Sequence, residues 1–209
     1  MTNDGIKGLF LGSSQGNLQA LALGTSTSET SFAVNGNSAA NPVIAASAAI
    51  LKLPDTQPVL AVGTGISSVF YWDNGRPFYL QAWGVAKTGV SANLTLKLYQ
   101  VPASVVAAGL AAGSVAGCNL IATSTARAVN STTQKFLFQA ELQWDSASGL
   151  LHGQFTDQIS NLLDAWAATT AVTTATLADN ELNFLLSATL SSGNAANVVT
   201  MQEFANIQM

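Results

Sequence analysis

Between Phe136 and Asp145 apolar and polar side chains alternate almost without exception. Phe136, Phe138, Ala140, Leu142 and Trp144 share one face of an extended chain, and Lys135, Gln139, Glu141, Gln143 and Asp145 share the other. Leu137 is the lone apolar residue on that second face. Successive side chains of a strand point to opposite faces, whereas a helix would spread these residues around its circumference. The segment is a strand, half-buried and half-solvated, and it requires a second layer to cover its apolar side.

The same period recurs. Leu94, Leu96 and Leu98 alternate with Thr95, Lys97 and Tyr99, while Leu182, Phe184, Leu186, Ala188 and Leu190 alternate with Asn183, Ser187, Thr189 and Ser191. After the loop at 145–149 the chain is expected to turn back over Leu150 to Phe155 as an antiparallel partner. Ser191 to Asn194 supplies a turn, and Val198 to Met209 a last strand. Val69-Phe70-Tyr71-Trp72, the turn Asp73-Asn74-Gly75 and Pro77-Phe78-Tyr79-Leu80 read as an aromatic hairpin. Val43 to Leu53, an apolar run between Pro42 and Pro54, suits a buried strand, although its alanines also allow a helix.

Three segments stay open. Residues 101–117 suit a short helix or a glycine-rich loop, 158–167 a helical turn or a strand, and 121–129 are weakly β. About eight clear strands at intervals of ten to twenty residues predict an all-β fold, a two-sheet antiparallel β-sandwich of jelly-roll or Greek-key type. Residues 1–37 differ in composition. They are rich in Gly, Ser, Thr and Asn, with short apolar pieces at Gly8 to Leu11 and Leu18 to Leu23. Such a segment buries too little to order itself alone, so 1–37 is expected to be an N-terminal arm, extended until assembled, beside a sandwich domain over 38–209.

Composition narrows the function. Only 9% of the 209 residues are charged, against roughly 25% in an average domain. The surface is therefore made of hydroxyls and amides, with few charges to hold copies apart, and burial against other subunits is expected. The net charge of −4 comes from scattered ions with no basic run, so direct nucleic-acid binding lacks an electrostatic footprint. The longest apolar stretches fall short of the roughly 20 residues that span a bilayer. One cysteine, Cys118, permits no internal disulfide and reads as a small buried hydrophobe. The opening residues have neither the basic start nor the apolar run of a signal peptide, so synthesis in a cytoplasm is expected.

No set of residues makes a convincing active site. His152 is the sole histidine and lies beside a turn. No Gly-x-Ser-x-Gly elbow occurs, and in Gly113 to Gly117 the serine is displaced by one. A Cys118–His152 pair has no supporting local pattern. Glu141 with Asp145, and Asp179 with Glu181, are the carboxylate pairs to consider for glycoside hydrolysis, and they read as solvated acids. Gly63-Thr-Gly65 leads into an aromatic strand rather than a helix and reads as a turn. Gly109, Gly113 and Gly117 have a spacing that carries meaning chiefly within membrane spans, and suit a loop. No catalytic, cofactor or metal residue is assigned, and the chain is expected not to be an enzyme. The cluster Phe70, Tyr71, Trp72, Phe78, Tyr79 and Trp83 reads first as core or subunit interface. The second reading is a lectin-like surface on which sugars stack.

Four C-terminal segments stand out together: Phe138 to Asp145, Gly149-Leu-Leu-His-Gly153, Leu182 to Ser191, and Asn197-Val-Val-Thr-Met-Gln-Glu-Phe204. The set resembles small β-sandwich virion proteins of tailed bacteriophages. There a strand ending in a tryptophan–aspartate turn precedes a Gly-Leu-x-Gly segment, and a late strand ends in Asn-x-x-x-Leu-x-Glu-Phe; Met201 stands here for that leucine. The resemblance covers residues 135–209 and carries no functional residues with it. It implies a capsid decoration (cement) protein or a tail or neck protein, located in the virion. Its partners would be further copies of itself, a trimer being the first expectation, and the major capsid protein or another virion protein.

Overall fold

The alternating segment becomes a central strand, covered on one side as its pattern requires. The computed structural model describes residues 10–12, 20–22, 24–34, 47–48, 50–52, 77–111, 113–145, 150–159, 162–165 and 183–208. Its first strands are β1 (Phe10–Gly12), β2 (Ala20–Ala22), β3 (Thr30–Ser31), β4 (Ala33–Val34), β5 (Ser47–Ala48), β6 (Leu51–Lys52), β7 (Pro77–Lys87) and β8 (Ala92–Gln100). A short helix, α1 (Ala103–Ala108), precedes β9 (Asn119–Thr123), β10 (Arg127–Val129) and β11 (Gln134–Asp145). Then come β12 (Leu150–Ile159), β13 (Leu162–Ala165), β14 (Asn183–Leu190) and β15 (Val198–Gln208).

The large sheet runs β1-β15-β7-β11-β12-β13, with β2 also on β15. The smaller sheet runs β10-β8-β14-β3, with β9 also on β8 and β6 on β14. A separate pair joins β4 and β5. In the large sheet Ala140 of β11 lies between Leu80 of β7 and Phe155 of β12 in antiparallel register. In the smaller one Leu96 of β8 lies opposite Ala188 of β14. Phe136, Phe138, Leu142, Phe155 and Phe204 from the first sheet meet Leu94, Leu98, Phe184, Leu186 and Leu190 from the second in one buried core. Each such side chain contributes about 1.5–3 kcal/mol by leaving water. The fold is an antiparallel β-sandwich.

Two strand glycines make room for that core. A Cβ on Gly84 would strike the Thr200 carbonyl and stand 2.6 Å from Phe136 Cζ; one on Gly153 would strike Leu142 and stand 2.9 Å from the Glu141 carbonyl oxygen. The turn from β14 to β15 is held by Asn197, fully buried, whose Nδ2 donates to the Ser192 carbonyl (2.7 Å) and whose Oδ1 accepts from Gly89 N–H (3.0 Å). One side chain thus ties that turn to the turn between β7 and β8.

The outer face of the smaller sheet is covered in part by the chain itself. Tyr99, Val101 and Leu185 form a second apolar cluster, against which Ile50, Val105, Val106, Leu110, Val115 and Cys118 pack. Residues 101–117 are helix and loop in turn: α1, then a passage in which Gly109, Gly113 and Gly117 have φ of 80°, 80° and 76°. That left-handed backbone is open to glycine and costly for other residues.

Described residues before the expected division between residues 37 and 38 join the same sheets as those after it. β1 and β2 lie on β15, β3 lies on β14, and Phe32 is completely buried in the core. The Phe32 ring stands 6.5 Å from that of Phe136, centroid to centroid. The apolar pieces of this polar segment find sheet edges and core within their own chain. Elsewhere the open segments resolve as strand: β9 and β10 within 119–129, and the end of β12 with β13 within 158–165. Within Val43 to Leu53 only the short β5 and β6 are strand among the described residues. The turn proposed at Asp73 to Gly75, and most of its aromatic hairpin, lie outside the described residues.

Candidate functional site

The outer face of the large sheet differs from that of its partner: no described residue packs over it as α1 and its loop pack over the smaller sheet. The polar half of the alternating pattern builds this face. Register sets Gln81 of β7, Gln139 of β11 and Thr156 of β12 side by side in a central row. On one side of that row lie Trp83, Leu137 and Gln158, with Glu203 of β15 beyond Trp83. On its other side lie Tyr79, Glu141 and Gln154, and then Gln143 and His152.

Three adjoining grooves follow β11 across these rows. One of about 430 Å³ is lined by Trp83, Lys135, Leu137, Gln158 and Gln202. A central one of about 330 Å³ is lined by Tyr79, Gln81, Gln139, Glu141, Gln154 and Thr156. The third, also about 330 Å³, shares Glu141 and Gln154 with it and adds Gln143 and His152. Tyr79 donates a hydrogen bond to Glu141, and its phenol is pushed above the ordinary value by burial first, then by the carboxylate charge and that bond. The carboxylate is thereby engaged within the sheet face.

A second polar cluster sits on the smaller sheet. Glu29 accepts hydrogen bonds from Tyr99 (2.6 Å) and Ser187 on one oxygen and pairs with Lys97 (2.8 Å) through the other. Partial burial alone would raise its carboxyl, but the bonds from Lys97, Ser187 and Tyr99 outweigh that and hold it below its ordinary value of 4.5. Tyr99 is pushed strongly upward by burial and by Glu29. The cluster pins the approach to β3 across β8 and β14, with the Tyr99 and Ser187 hydroxyls both given to that single carboxylate.

The residues singled out in the sequence do not converge. His152 is exposed on the outer face of the large sheet, whereas Cys118 packs in the cover over the smaller one, so the sandwich separates them. Burial pushes the Cys118 thiol up to about 11, which keeps it protonated and a poor nucleophile at neutral pH. Glu141 faces Tyr79 and amides, with Asp145 at the end of the same strand. Asp179, Glu181 and Gly63 to Gly65 lie outside the described residues, as do Phe70, Tyr71 and Trp72. Of the aromatic cluster, Tyr79 and Trp83 reach the outer face, half-buried. Among the described residues no group of three or more His, Cys, Asp or Glu is placed to hold a metal ion, and no helix is long and apolar enough to cross a membrane. Sequence reasoning reached the β11 portion of the amide face but missed its breadth. Gln81 and Thr156 become neighbours of Gln139 through pairing alone.

No protein-family model and no curated protein matches the chain. Among solved structures, a legume lectin-like domain from Entamoeba histolytica is similar over 92% of this chain and 90% of its own, at 8% identity and a TM-score of 0.37. A likeness that slight carries no argument about fold or function.

Proposed function

We propose that the chain is a structural protein of a tailed-bacteriophage particle, foremost a capsid decoration protein that stabilises the head by self-association and shell contacts. The observation that supports this reading is where the residues of the sequence resemblance lie. Among the described residues they belong to β11, β12, β14, β15 and the turn before β15, and several of their side chains shape the scaffold. Phe138, Phe184 and Phe204 fill the core, Gly153 admits Leu142 and Phe155, and Asn197 clamps two turns. The likeness to virion proteins is thus a likeness of framework, and a chain with 9% charged residues sets little electrostatic repulsion between neighbouring subunits.

Quantitative mass spectrometry of purified particles, from a phage encoding this chain, tests the reading. A decoration protein is present in copy numbers comparable with the major capsid protein and leaves with the heads when tails are sheared off. Enrichment in the tail fraction would move it to the tail or neck. Absence from the particles would overturn both placements.

A further inference from the structure

We propose that the outer face of the large sheet is a binding site for a neutral, polyhydroxylated ligand: an uncharged glycan chain laid along β11. The inference is independent of the particle role, and either can fail alone.

The argument starts from the chemistry of the central groove. Gln81, Gln139 and Gln154 each offer a carbonyl acceptor and an amide donor pair, and Thr156 offers a hydroxyl that does both. Neighbouring hydroxyls on a sugar ring are donors and acceptors in the same way, so amides in adjacent positions match them without a charge on either side. No cationic side chain lines this groove, and its one carboxylate is held by the Tyr79 hydroxyl. An anionic ligand would find nothing there to balance it.

The rings supply the apolar part. Tyr79 lies in the central groove and Trp83 in the next one along the strand. Aromatic faces of this kind accept the C–H faces of a sugar while their polar tips stay wet. From Leu137 to Gln143 the face extends for about 20 Å at roughly 3.4 Å per residue, so the three grooves suit several linked sugars rather than one. A second copy of the chain fits this face less well. Protein interfaces place apolar side chains at their centre and polar ones at the rim, whereas here the centre is the Gln81–Gln139–Thr156 row. Covering those groups with protein would strand amides without partners; a hydrated glycan would satisfy them directly and through bridging water.

The test is calorimetric titration of the full chain with four neutral hexasaccharides (cello-, xylo-, malto- and chitohexaose), with a heparin hexasaccharide as the charged comparison. At least one neutral chain is expected to bind. Gln139→Ala and Trp83→Ala should each weaken that binding by about tenfold, the loss of one well-made hydrogen-bonding or stacking contact. Thr95→Ala, on the opposite exterior, should leave it unchanged. Gln139 is exposed, so its substitution decides the matter even if Trp83→Ala does not fold. No binding by any neutral hexasaccharide, binding by the sulfated one alone, or undiminished binding by Gln139→Ala would each overturn the site.

Discussion

Glu29 gathers three donors from two strands, and acid should release them. Its folded value is lowered, so the ionised form favours folding at pH values above the ordinary 4.5. That contribution is lost as pH falls through the lowered folded value. Urea unfolding at pH 7 and pH 3 should show wild type losing stability in acid. Glu29→Gln should be less stable than wild type at pH 7, with a smaller loss on going to pH 3. An equal pH dependence in the two proteins would show that the cluster contributes nothing. None of this was legible in the sequence. Lys97, Tyr99 and Ser187 lie 68, 70 and 158 residues from Glu29, and Glu29 sits in a Gly-, Ser- and Thr-rich stretch with no period to read. Asn197 is a different case. It stood in a recognisable motif, but only the structure shows that it satisfies two turns at once.

Strands were readable where one face is buried and the run is long. β8 and β11 alternate along most of their length, and that pattern implies a sheet with a covered side; in β14 the alternation is interrupted by Leu185, and both faces are buried. β1 to β6 span two or three residues each, too few for a period, so composition alone governed the reading of the first 37 residues and set them apart. Phe32 bears on that reading most directly. Because it is completely buried among core side chains, Phe32→Ala should destabilise the fold by about 3–5 kcal/mol in a denaturant titration. The same change at partly exposed Leu120 should cost far less. Deleting residues 1–37 should cost more than Phe32→Ala, since it also bares the edge of β15 that β1 and β2 cover. A truncated chain with native circular dichroism and unaltered stability would support the boundary at 37. The amide face was half-legible for a similar reason: alternation exposes Gln139 and Glu141 on β11, but only register brings Gln81 and Thr156 beside them.

For the whole molecule the governing quantity is charge. Nine per cent charged residues leave copies little mutual repulsion, and we propose that they associate with closed cyclic symmetry, three copies being the first expectation. Light scattering at micromolar concentration should give a single species of about three chain masses. A monodisperse mass near 21.5 kDa would leave association with a partner as the sole mode of assembly. Fold class could be read from the sequence because β8 and β11 report the same two-layer demand; assembly could not, because surfaces carry no period. The pairing of β1 with β15 adds one more property. Phe10 lies opposite Gln208 and Gly12 opposite Asn206, so the two ends of the described fold are hydrogen-bonded neighbours at one corner of the large sheet. A tag or cargo domain joined at Phe10 or at Gln208 would leave the sandwich from the same place. A short linker joining Phe10 to Gln208 would close the described fold with little rearrangement, and new termini could then be opened in another surface turn.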